Sequence, residues 1–163
     1  MVAYLKRMPS GIPGDVSRKQ TTDVDSIPAD LTVQFPGYGL PGKLLAGLFS
    51  PIVAGDTAAS VFGFLVRPYP VTSPDAAGLT VSLGGVKSVM RRGYMTVKNN
   101  NGTPARGGAV YVRVAAGTTL KPIGGLEAVV DATPANTLVI PRTYFTGPAD
   151  ANGNVEIEYL IGA

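Results

Sequence analysis

Apolar positions along this chain recur in short bursts with a period of two, and almost nowhere with the 3.6-residue period of a helix. The clearest burst is Gly93-Tyr94-Met95-Thr96-Val97-Lys98, answered by Ala109-Val110-Tyr111-Val112-Arg113-Val114. Both are rich in β-branched and aromatic residues, which favour a pleated, half-buried surface. Between them, Asn101-Gly102 and Gly107-Gly108 tolerate φ > 0 and mark reversals. The pattern predicts a β-hairpin over residues 93–114. Alternation places Met95 and Val97 on one face of the first arm, with Tyr94, Thr96 and Lys98 on the other. In the second arm, Val110, Val112 and Val114 point to the core, and Tyr111 and Arg113 outward.

Other strands follow from the same reading. Residues 31–35 form a short candidate, stopped by Pro36-Gly37. Residues 58–67 are nearly continuous in apolar character, as in a central strand covered on both faces, with Gly63 marking a bulge or a close backbone approach. Pro68, Pro70 and Pro74 then enforce an extended loop, and residues 79–83 alternate cleanly. Residues 126–130 and 137–141 are further candidates, the second continuing through 142–145 past a bulge at Pro141. Asn152-Gly153 predicts a two-residue type I′ turn into a last strand. There Val155, Ile157, Tyr159 and Ile161 face inward, and Glu156 and Glu158 outward. Residues 41–49 alone hint at a helix. The sum is seven or eight strands: an all-β, jelly-roll-like sandwich or barrel. Residues 1–30, rich in Pro and Gly and without periodicity, read as an extended N-terminal arm, ordered only by contacts with a partner or another copy. Residues 31–163 then form a single β domain.

Composition sharpens this picture. Gly and Pro supply 21 and 14 of the 163 residues and charged residues only 15%, too apolar for disorder and too broken for a helical bundle. The N-terminus lacks the apolar core of a signal peptide, and no apolar run approaches the ~20 residues that span a bilayer, so a soluble product is expected. The net charge of +3 hides a segregation. Residues 76–126 hold no acid and seven bases, whereas residues 127–163 hold five acids against Arg142 alone. Such separation points to surfaces that meet opposite charge, including another copy of the chain.

Without His or Cys there is no Ser-His-Asp triad, no Cys-His dyad and no imidazole or thiolate metal site. No cofactor, metal or catalytic residue is expected. Gly37 to Lys43 matches the start of a P-loop, but Leu44 replaces the magnesium-binding hydroxyl and Pro41 removes a phosphate-facing N–H; a turn between strands fits better. The pairs Asp23/Asp25 and Glu156/Glu158 read as solvent-facing rows, and Asp150 to Asn154 as a turn lacking the distal Glu of a calcium loop. Tyr94 and Tyr111 among Arg91, Arg92, Lys98 and Arg113 allow an alternative, a β-barrel module binding nucleic acid or a carbohydrate receptor.

The order of these pieces resembles the decoration, or structural cement, proteins of tailed-bacteriophage capsids. The resemblance is carried by Pro13-Gly14-Asp15-Val16-Ser17-Arg18, Phe62-Gly-Phe-Leu-Val-Arg67-Pro68-Tyr-Pro70, Gly93-Tyr-Met-Thr-Val97 leading to Ala109-Val-Tyr-Val112, and Thr146-Gly-Pro-Ala-Asp150-Ala-Asn-Gly153-Asn-Val-Glu-Ile157. It implies a β body on the capsid exterior of a virion, made in the host cytoplasm, that joins major capsid protein subunits. It also implies a homo-oligomer, dimer or trimer, at a symmetry axis, with no direct nucleic-acid role and no membrane. The candidate partner contacts are Arg18, Lys19, Arg91, Arg92, Tyr94, Lys98, Arg106 and Arg113.

Overall fold

In the computed structural model, which describes residues 11–57, 60–68 and 81–160, one 13-residue strand organises the rest. This is β5 (Val86–Lys98). Before it come β1 (Asp23–Pro28), β2 (Pro41–Leu45), β3 (Leu48–Pro51) and β4 (Gly63–Leu65). After it come β6 (Ala109–Arg113), β7 (Leu126–Glu127), β8 (Thr137–Phe145) and β9 (Asn154–Tyr159). The antiparallel pairs run β3-β2-β4-β5-β9-β8-β6-β7, with β1 also on β5. The sheet curls into a half-barrel, so the all-β expectation holds.

The expected hairpin over 93–114 does not form. Its two arms are strands, but β5 pairs with β9 (Gly93↔Tyr159 to Lys98↔Asn154) and β6 pairs with β8. The β8–β9 hairpin lies between them, giving the Greek-key order β5-β9-β8-β6. A ten-residue connection does not impose the register that a two-residue turn would. Instead it crosses the end of the intervening hairpin: Asn99 N–H donates to Gly153 O at 2.8 Å and Gly107 N–H to Phe145 O at 2.8 Å.

Burial follows the alternation where expected. Met95, Val97, Val110, Val112, Val114, Val155, Ile157 and Tyr159 join one core with Phe64, Leu126, Ile140 and Phe145. A second core gathers Phe35, Phe49, Leu65, Val81 and Val89, with Phe35 and Phe49 stacked at 5.0 Å. Ile161 lies outside the described residues. Gly63 is a close approach, since a Cβ there would meet Met90 O at 2.6 Å.

From residue 11 onward, the N-terminal segment is held by its own chain. Gly14 N–H donates to Thr96 O at 2.8 Å, Thr96 N–H to Asp15 O at 2.9 Å and Ser17 N–H to Tyr94 O at 3.1 Å. β1 continues antiparallel along Val86 to Arg92. Ordering of this part by a partner, the expectation from its composition, is therefore replaced by strand addition onto β5. Between the two pairings the chain passes over Gly93, whose φ is +128° and whose Cβ would lie 2.2 Å from Thr22 Oγ1. Gly93→Val should thus both strain the backbone and evict residues 18–22, lowering stability by at least about 2 kcal/mol in urea unfolding. An unchanged midpoint would show that the crossing tolerates a side chain.

Several local expectations are corrected. Residues 31–35 are loop, because Asp30 diverts the backbone: its Oδ1 accepts from Thr32 N–H at 2.7 Å and Thr32 Oγ1 at 2.6 Å, and its Oδ2 from Ser50 Oγ at 2.7 Å. The bonds from Thr32 and Ser50 lower its carboxyl pKa to about 2. Residues 41–49 are not helical but form the β2–β3 hairpin, closed by Ala46 (φ 50°) and Gly47 (φ 81°) in type I′ fashion. In the candidate at 58–67 only Gly63–Leu65 are strand, and residues 58–59 lie outside the described residues. So do residues 79–80, and 81–83 are not strand; Pro70 and Pro74 also fall outside. The candidate at 126–130 shortens to two residues. The bulge at Pro141 is present, with Arg142 at φ 52° and a register shift against β6.

The turn before β9 is not type I′, since Gly153 has φ 78° and Asn152 is not in the positive-φ region. Gly153 N–H donates to Asp150 O at 3.0 Å and Asp150 N–H to Asn154 O at 2.8 Å, a three-residue loop with a glycine bulge. The Asp150 carboxylate selects it by accepting from Asn152 N–H at 2.9 Å and Asn154 N–H at 2.8 Å.

Candidate partner-contact surface

Across the outer face of the half-barrel, register aligns Tyr94 of β5, Glu158 of β9 and Tyr144 of β8 in one row. Tyr94 Oη donates to Glu158 Oε1 at 2.6 Å, and this bond raises the phenol pKa above its ordinary value. In the next row Glu156 gathers four donor atoms: Ser17 Oγ at 2.6 Å, Thr146 Oγ1 at 2.7 Å, Arg18 Nη2 at 2.8 Å and Arg18 Nε at 3.2 Å. Arg18 also lies 4.0 Å from the centre of the Tyr94 ring, a cation–π contact. The two glutamates, expected as a solvent-facing row, are half-buried, Glu156 anchoring residues 17 and 18 and Glu158 holding Tyr94. Beside them opens a cleft of about 460 Å³ lined by Arg18, Tyr94, Arg106, Tyr144, Thr146 and Glu158.

The fold brings three candidate contacts, Arg18, Tyr94 and Arg106, to this cleft and disperses the others. Arg91 lies 3.4 Å from the Phe62 ring centre and 3.5 Å from Asp25; Arg92 is 2.9 Å from Asp23. Lys98 Nζ donates to Asn152 O at the turn before β9. Lys19 is exposed and lines a separate cleft with Val16, Val24 and Val66.

Arg113, expected to point outward, is interior at 2% exposure. Its Nε donates to Glu127 Oε1 at 2.5 Å and its Nη2 to Asp131 Oδ2 at 2.6 Å. Nη1 reaches Ala115 O at 3.3 Å. Alternation sets Arg113 on the face of β6 opposite Val110 and Val112, but there the Glu127 and Asp131 carboxylates and the Ala115 and Ala116 carbonyls enclose it. The charge segregation resolves in part in the same way. Of the seven bases of the middle, Arg91, Arg92 and Arg113 find counterions within the chain, from Asp25, Asp23 and the pair Glu127 and Asp131.

Among the described residues no cluster of three or more carboxylate, imidazole or thiol side chains could hold a metal, and no helix is long and apolar enough to cross a membrane. A chain in the solved capsid of Myoviridae phage XM1 superposes with a TM-score of 0.68 at 17% identity, covering 96% of this chain and 94% of that one. No curated protein matches. The model of the XM1 gp53 minor capsid protein family matches residues 1–159. The chain belongs to that family.

The resemblance to phage capsid proteins is therefore borne out as a capsid-associated family with a structural role. In this minor capsid protein the sequence reading missed one surface. The β2–β3 hairpin projects five consecutive exposed residues, Leu44-Leu45-Ala46-Gly47-Leu48. Leu44, Leu45 and Leu48 are 44%, 58% and 36% exposed. Hairpin tips ordinarily carry Asn, Asp or Gly, so leucines flanking an Ala-Gly turn were the available signal.

Glu156 gives the minor capsid protein an acid-sensitive fastening. Burial alone pushes its carboxyl pKa up, but the bonds from Ser17, Thr146 and Arg18 together outweigh this and hold it below its ordinary value. A lowered folded pKa stabilises above the unfolded value, about 4.3, and that contribution is lost as pH falls through the folded one. Amide protection at Ser17 and Thr96 should therefore drop below about pH 4, and Glu156→Gln should remove this dependence. Protection that is flat with pH in the parent protein would show that Glu156 does not fasten the segment.

Proposed function

We propose that this protein is a decoration, or cement, protein: it binds the exterior of the phage head and ties neighbouring major capsid protein subunits together. The observation that carries this reading is the apolar hairpin tip, presented on a short fixed turn by a chain whose polar groups are largely matched internally. Contiguous exposed apolar residues mark interaction sites rather than ordinary surface. Arg18, Lys19, Arg91, Arg92, Tyr94, Lys98 and Arg106 form the polar part of the proposed contact; Arg113 is left out because it is buried. A dimer or trimer at a local symmetry axis would multiply weak contacts around the shell, so that avidity replaces a single deep site.

The test is co-sedimentation of the purified chain with expanded, emptied heads, together with the rupture temperature of those heads. Saturable binding with a raised rupture temperature is the expected result. Absence of binding, or tight salt-sensitive binding to duplex DNA instead, would overturn the reading.

A further inference from the structure

We infer that the cleft beside Tyr94 and Tyr144 is a socket for one carboxylate side chain, carried by a surface loop of the major capsid protein. The inference rests on the cement reading and adds the chemistry of one contact to it.

The argument starts from unmatched donors. Arg18, Arg67, Arg91, Arg92 and Arg113 each have a carboxylate of their own chain within 3.9 Å. Arg106, at the rim of the cleft, has none among the described residues and is exposed. It is also held in place. Gly108 N–H donates to Ala105 O at 2.9 Å, closing a turn that Gly107 permits with φ 77°. That turn is tied to the end of β8 by Gly107 N–H to Phe145 O at 2.8 Å and Phe145 N–H to Gly108 O at 2.9 Å. An arginine on so fixed a backbone loses less freedom on binding than one on a mobile loop.

The other walls define the occupant. Tyr144 is 41% exposed and its hydroxyl has no partner among the described residues, so it offers both a second donor and an apolar wall. Glu156 is already taken by its donors, and one oxygen of Glu158 by Tyr94. The cleft therefore presents a guanidinium fork and a phenol to an acceptor-only group, and a carboxylate matches the fork with two parallel bonds. A polyanion does not fit. Arg18 is paired with Glu156 and Glu158 shares the lining, so Arg106 is the one cation of the cleft without a carboxylate partner among the described residues and no positive field extends beyond a single group. The cleft volume, about 460 Å³, admits a side chain and part of its loop.

The experiment titrates expanded, emptied heads with the full chain at several salt concentrations. Arg106→Glu should weaken binding at least tenfold and flatten the salt dependence, with an unchanged melting temperature. Arg106→Lys should fall between, because it keeps the charge and loses the fork, and Tyr144→Phe should lose a smaller part. If the parent protein binds heads and Arg106→Glu binds equally well with the same salt slope, the socket is excluded while the cement reading stands. If the parent protein binds no heads, the cement reading fails, and the socket with it. Binding of a single-stranded 20-mer that Arg106→Glu abolishes would reassign the site to phosphate and overturn the inference.

Discussion

Replacing Leu45 and Leu48 together with aspartate should abolish binding to phage heads while leaving the melting temperature where it was. The two residues are cross-strand partners at the end of the β2–β3 hairpin and belong to neither core. Burying one leucine is worth about 1.5–3 kcal/mol, so losing two costs a factor of roughly 10² to 10⁴. Aspartate adds the penalty of desolvating charge at the interface. The folded monomer gives up less, because Leu45 and Leu48 are already 58% and 36% exposed. Binding by the double variant at parental strength would remove the hairpin from the interface, and a fallen melting temperature would assign it a role in folding instead.

The largest effect on stability belongs to Arg113. Its side chain is 2% exposed and that of Glu127 is fully buried, so Arg113→Ala leaves a buried carboxylate without its cation. Among the described residues, Asn101 Nδ2, at 2.8 Å from the other Glu127 oxygen, is the side-chain donor left to that carboxylate. Loss of one partner from a buried pair costs about 3–5 kcal/mol, much of it the stranded charge rather than the lost bond. Asp131 also loses its chief partner, which now holds its carboxyl well below the usual range. Replacing Glu127 by Gln in the Arg113→Ala background should recover part of the loss, because the stranded charge is then absent. A purely additive pair of substitutions in urea unfolding would show that the two side chains do not act as a unit.

What could be read from the sequence was local, and what could not was long-range. Period-two alternation placed Met95, Val97, Val155, Ile157 and Tyr159 in the core, because each strand's own pleat decides which side chains share a face. It did not reveal that β9 lies beside β5, since pairing between residues some sixty positions apart depends on competition among all the strands. Asp30 shows a single side chain overriding an apolar run, and residues 41–49 show leucine spacing that suits a helix until Ala46-Gly47 turns the chain. For the candidate surface, the sequence supplied the residue types but not the neighbourhood. Arg18, Tyr94 and Arg106 meet because the N-terminal segment, β5 and the turn before β6 converge, whereas Arg113 was lost because alternation does not report what covers a face.

The course of the N-terminal segment has a mechanical consequence. Hydrogen bonds between antiparallel strands lie perpendicular to the strands, so tension directed along β5 loads the bonds at Thr96, at Tyr94 and along β1 at once. Force applied in that direction must shear them together, whereas a pull away from the sheet peels them singly. Residues 11–28 thus act as an anisotropic fastener, strong against sliding within the plane of the sheet and weak against lifting, and the direction in which a shell pulls on it decides whether it holds.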